Sequence, residues 1–202
     1  QKDIDAGRFD RAKSVEVPEL TTPTEKVYRN ADGSMTRLVT TIPTRVRDLT
    51  GAWHDLDLGM VQGERGFEPK VASSPFTVLT NPTEGLVSFE SPAGPVVLRI
   101  PELDGTLGAP RVDGARVVIP GQRGGPTVQV SATPTGFEQD LVVNDASRSG
   151  YLAEFVVPDG VVARQAPGAV EFVDAEGRLV FRFGGGLAVD SKFDKTRGSG
   201  AE

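Results

Sequence analysis

The 202-residue chain carries 28 acidic and 22 basic side chains, a formal net charge of −6 with both signs spread along its length. That balance argues against a nucleic-acid binder, which would show a clustered basic face, and no apolar run approaches the roughly 18 residues of a membrane-spanning helix. With no cysteine, a disulfide scaffold and a thiolate zinc site are excluded, although secretion is not.

Turn signals recur about every 8–12 residues, the spacing of an all-β sandwich or barrel-like domain. Aromatics make up only 6% of the residues, so the core is expected from Val and Leu with Phe as the large filler. Residues 1–14 read as an extended leader, with 5–14 the best helical candidate, and VEVPEL at 15–20 as a short extended piece. A hairpin is predicted from EKVYRN to SMTRLVTTI around Asp32–Gly33, because Asp-Gly reaches the dihedrals of a tight turn. TRVRDLTGAWHDLDLGMV alternates about a turn at Thr50–Gly51, and the polar stretch 62–74 reads as a loop. PFTVLT, LVSFES, VVLRIPEL and RVVIPG predict four strands, with Pro75, Pro92, Pro95 and Pro101 at strand ends where a missing N–H does least harm. PTVQVSAT, FEQDLVVND, GYLAEFVVPD and LAVDS continue the pattern, and EFVDAEGRLVFRF is the cleanest hairpin, with Phe172 in period with Leu179, Phe181 and Phe183. The expected fold is therefore an all-β sandwich of successive antiparallel hairpins. It divides into a first lobe at 15–103, a seam or loop region at 104–126, a second lobe at 127–190 and a polar tail at 191–202. The seam is compatible with one sandwich or with two packed lobes, and the second is favoured.

Catalytic equipment is sparse. His54 lies between Trp53 and Asp55, the pattern of a base steered by a carboxylate, but it is the only histidine and no serine sits in a nucleophile elbow. Strand alternation places His54 opposite Trp53, Asp55 and Asp57, which favours a surface histidine. Asp32–Gly33, Asp104–Gly105, Asp113–Gly114 and Asp159–Gly160 resemble fragments of calcium loops, yet none carries the required oxygen series and turn chemistry accounts for each. Glu138 and Asp140, with Glu90 and Glu102, are the candidate carboxylates for glycoside hydrolysis, although sequence places no two at a working separation. Trp53, the sole tryptophan, fits a sheet-packing role better than an exposed sugar platform. No catalytic residue, metal ligand or cofactor is assigned.

Taken in order, VPEL at 17–20, YRNADGSMTRLVTTIPTRVRD at 28–48, GAWHDLDL at 51–58, VDGARVVIP at 112–120, TPTGFEQDLVVND at 133–145 and FVDAEGRLVFRF at 172–183 form a recognisable series. It resembles the N-terminal, non-repeat region of very large secreted actinobacterial RHS/YD-repeat proteins and related polymorphic-toxin-like or wall-associated polypeptides. HDLDL, GQRGGPTVQVSAT and FGGGLAVDS depart from that pattern. The resemblance implies a secreted or cell-surface, non-enzymatic structural module that caps or anchors a larger chain. The expected partner is the remainder of a parent polypeptide or a co-assembled subunit, with the leader at 1–20 docking in extended form and both termini read as cuts from a longer chain. An alternative is a carbohydrate- or cell-wall-binding module, in which Trp53, Tyr28 and Tyr151 share one exposed face and stack on a glycan.

Overall fold

The computed structural model describes residues 9–143 and 150–186. Strands dominate it, and all pair antiparallel. β1 (Val15–Glu16), β2 (Glu25–Arg29) and β3 (Met35–Val39) form a three-stranded sheet in that order. The β2–β3 turn is the one read from Asp-Gly: Gly33 takes φ +82°, and its amide donates to the Asn30 carbonyl at 3.0 Å. The buried Asn30 secures it by donating to Ser34 Oγ and Thr36 Oγ1, each at 2.9 Å. β4 (Arg45–Arg47) and β5 (Trp53–Asp55) make a second, separate hairpin.

Five consecutive strands then run β6 (Asp57–Gln62), β7 (Gly66–Val71), β8 (Phe76–Leu79), β9 (Val87–Ser91) and β10 (Gly94–Arg99). A second sheet follows from β11 (Arg111–Asp113), β12 (Arg116–Ile119), β13 (Thr127–Thr133) and β14 (Gly136–Val142). β15 (Glu154–Val156) returns to the first sheet beside β10, giving the six-stranded order β15-β10-β9-β8-β7-β6. The two sheets share one core, in which Val78, Val87 and Leu98 of the first meet Val117, Val128 and Val130 of the second, all fully buried. Burying each such side chain stabilises by about 1.5–3 kcal/mol. The alternation of β13 produces this directly: Val128, Val130 and Ala132 point inward and the polar residues between them do not. The Met60 amide donates to the Gly114 carbonyl at 2.9 Å, tying β6 to the β11–β12 turn. This is the all-β, sandwich-like architecture the turn spacing predicts.

The chain forms two compact units, divided between residues 90 and 91, 95 and 96, and 156 and 157. The sandwich belongs to the first. In the second, β16 (Val162–Ala166), β17 (Ala169–Val173) and β18 (Leu179–Gly184) form a three-stranded sheet. Phe172 pairs with Phe181, and their rings stack at 4.1 Å. Residues 104–126 contribute β11 and β12 to the four-stranded sheet.

Several local expectations are corrected. The presumed loop at 62–74 contains β7, whose alternation Glu68, Pro69 and Lys70 disguise. β8 pairs with β7 only at Gly66 and Phe67, so the N–H that Pro69 lacks falls beyond that pairing. Both copies of Pro-Glu-Leu, at Pro18–Leu20 and Pro101–Leu103, are 3-10 helical turns rather than strand ends. Proline suits the first helical position because its φ is preset and that N–H has no helical partner. Of the helical candidate at 5–14, residues 5–8 lie outside the described residues, and 11–13 form only a turn. The strand predicted at LAVDS, residues 187–191, also lies outside them.

Candidate functional site

The N-terminal hairpins are joined by charge. On β4 and β5, Arg45, Arg47, Trp53 and Asp55 share one face by register. On β1–β3, Glu16, Lys26, Tyr28, Thr36 and Leu38 share one face. Arg45, only 7% exposed, pairs with Glu16 and with Asp55, the latter at 3.2 Å. Lys26 Nζ reaches the same Asp55 oxygen at 2.8 Å. That hydrogen bond leads the causes that hold the Asp55 carboxyl below its ordinary value, with Arg45 adding to it. Trp53 is half-buried beside this knot: its Nε1 donates to the Pro18 carbonyl at 3.2 Å, and the Arg45 and Arg47 guanidinium carbons lie 6.0 and 5.9 Å from its ring centre.

The opposite face of β1–β3 presents a different surface. Val15, Arg29 and Met35 are in cross-strand register, with Glu25 beside Val39 and Val27 beside Arg37 on the same side. Val15, Met35 and Val39 are 69%, 47% and 65% exposed, while Val27 among them is buried. Arg37 pairs with Glu25 at 3.6 Å. The result is a ridge of exposed apolar side chains interrupted by Arg29, between Val15 and Met35, and by Arg37, between Met35 and Val39.

His54 falls on the face of β5 opposite Trp53, as alternation requires. Its Nε2 lies 2.7 Å from Asp48 Oδ2. The other Asp48 oxygen accepts from the Thr50 hydroxyl at 2.7 Å and from the Thr50 and Ala52 amides at 2.8 and 3.0 Å. The Thr50 hydroxyl, then His54 and the backbone amides, hold this carboxyl well below the usual carboxylate range. Asp48 thus closes the β4–β5 turn, and the imidazole completes its shell. The sequence sets Asp55 beside His54 as a steering carboxylate, but alternation turns the two to opposite faces, and the turn supplies Asp48 instead.

Of the three aromatics considered for stacking, Tyr28 and Trp53 belong to the N-terminal hairpins, whereas Tyr151 packs against the sandwich core. Tyr28 meets Phe9 edge-on at 5.1 Å. The candidate carboxylates are also dispersed: Glu138 and Asp140 lie on the exposed face of β14, and Glu102 accepts the Leu152 amide at 3.1 Å. Among the described residues, no three His, Asp or Glu side chains form a group that could hold a metal ion, and no helix is long and apolar enough to cross a membrane.

A feature invisible in the sequence is a cleft of about 330 Å3 at one end of the sandwich. Its floor is core: Leu79, Leu86, Ile100, Leu103 and Ile119, all buried. Its walls are the 80–86 turn and the 104–110 loop. No family model, curated protein or solved structure matches this chain.

Proposed function

We propose that the chain is a non-enzymatic structural and interaction module of a large secreted bacterial polypeptide of the RHS type. It docks on the remainder of that polypeptide or on a co-assembled subunit. The observation that carries this reading is the apolar ridge of Val15, Met35 and Val39 on one face of β1–β3. Three large apolar side chains exposed on one face of a small sheet lose water favourably only when something covers them. The Arg45 knot on the reverse face fixes the sheet that presents them, so the ridge is preorganised for a partner.

The test is recovery of the tagged protein from its native source, resolved by size-exclusion chromatography and mass spectrometry. The reading expects it to travel with the remaining polypeptide or one defined subunit. The variant Val15→Lys, Met35→Glu, Val39→Lys, folded by circular dichroism, is expected to run free. A wild-type protein that runs alone as a monomer, or a variant retained as well as wild type, sinks the reading.

A further inference from the structure

The cleft at the end of the sandwich is separate from the β1–β3 ridge and is built from different elements. Its walls are held by backbone and side-chain bonds. The Gly108 amide donates to the Pro120 carbonyl at 2.7 Å, the Gln122 amide to the Thr106 carbonyl at 2.7 Å, and Gln122 Nε2 to the Leu107 carbonyl at 2.9 Å. On the opposite wall, Asn81 Oδ1 accepts from the Thr83 hydroxyl at 2.8 Å, and Glu84 is fixed by Asn81 and by Arg65 at 3.1 Å. Gly85 lies so close to β10 that a Cβ there would fall 2.4 Å from Val97 Cγ1. Both walls are therefore set before anything enters, which lowers the ordering cost of binding.

The volume lies at the lower end of the roughly 300–1,000 Å3 typical of small-molecule sites, and an apolar floor with few polar groups is their usual chemistry. Among the described residues, Asp104 is the one ionisable residue lining the cleft. It follows the 3-10 turn at Pro101–Leu103 and is exposed, and no hydrogen bond or ion pair engages its carboxylate among the described residues. The neighbouring acids are occupied, Glu84 by Arg65 and Asn81 and Glu102 by the Leu152 amide. An apolar well with one uncommitted negative charge at its mouth is complementary to an apolar body that ends in a cation.

We propose that this cleft binds small alkyl- or arylalkyl-ammonium ions, with the apolar part on Leu79, Leu86, Ile100 and Ile119 and the ammonium at Asp104. The experiment titrates hexylammonium, hexanol and hexanoate into the whole protein while methyl resonances are followed by NMR. Saturable shifts are expected at the floor residues, with hexylammonium binding about threefold more tightly than hexanol, the size of one solvent-exposed charge pair, and hexanoate weakest. Asp104→Asn should bring hexylammonium to the affinity of hexanol, and Asp104→Lys should put hexanoate first. The proposal is overturned if no probe saturates, if the shifts fall outside the cleft, or if the ranking survives both substitutions unchanged.

Discussion

Arg45→Met removes a buried guanidinium while keeping most of its aliphatic packing, so it isolates the charge in the knot. Three interactions are lost. The Glu16 pair, in a partly buried place, contributes about 1.5–3 kcal/mol as a charge-assisted hydrogen bond. The Asp55 pair is discounted to about 0–1 kcal/mol because that side chain is 66% exposed and screened by water. The approach to Trp53, at the 6.0 Å limit of a cation–π contact, adds about 0.5 kcal/mol. The expected loss is about 2–4 kcal/mol, concentrated in β1–β5, because none of the sandwich core residues belongs to those strands. Trp53 is the only tryptophan and sits beside Arg45, so its fluorescence reports the knot while far-ultraviolet circular dichroism reports the whole chain. In urea, the fluorescence midpoint should fall by about 1–2 M for a slope near 2 kcal/mol/M, with the dichroism midpoint moving much less. A double-mutant cycle with Glu16→Gln should recover a coupling of about 1 kcal/mol or more. Equal shifts of both midpoints, or no coupling, would refute the view that charge holds these hairpins as a separately opening unit.

The turn at 48–52 carries a pH dependence of defined sign. Folded Asp48 titrates below its unfolded value, so its stabilisation is complete above about pH 4 and fades as the pH falls through the folded value. Asp55, lowered chiefly by Lys26, acts in the same direction. The Trp53-monitored urea midpoint should therefore drop on acidification from pH 5 to pH 2, and Asp48→Asn should flatten part of that drop. Gly66→Ala places a Cβ 2.0 Å from the Val78 carbonyl oxygen, so the β7–β8 pairing must shift, with an expected cost of about 3 kcal/mol or more in a urea titration. Gly33→Ala meets nothing within 4 Å but is strained at φ +82°, and about 1 kcal/mol is expected, so the pair separates steric from conformational cost. Leu98→Ala empties a fully buried site in the sandwich core and should cost about 3–5 kcal/mol by dichroism-monitored unfolding.

The hairpins were legible because their signals are local. Asp32–Gly33, Asp113–Gly114 and Asp174–Gly177 mark turns whose glycines take positive φ, and the flanking runs alternate. β7 escaped because Gly66, Glu68, Pro69 and Lys70 carry no strand propensity of their own; its place between β6 and β8 comes from tertiary pairing. Leu49 falls within a run that alternates like a strand, yet it is fully exposed in the β4–β5 turn, because Asp48 takes over the local hydrogen bonds there. Arg45 offered no sign of burial, since its partners lie 29 residues before it and 10 after it. The cleft escaped for the same reason: its floor joins residues from 79 to 119, and only the folded sheets bring them to one end.

Two kinds of cohesion operate in the described chain, and they separate presentation from scaffolding. The sandwich is held by Val and Leu, and that attraction strengthens modestly in salts excluded from protein surfaces. The β1–β5 hairpins lean on Glu16, Arg45, Asp55 and Lys26, whose exposed members are weakened by screening salt. The segment that carries the apolar ridge thus responds in its order to ionic conditions and to acid. Regions that bind partners are commonly drawn from the less stable part of a fold, because a partner can supply there the burial the free chain lacks. On that footing, covering Val15, Met35 and Val39 should raise the Trp53-monitored midpoint towards that of the sandwich. A partner that left it unmoved would be docking elsewhere.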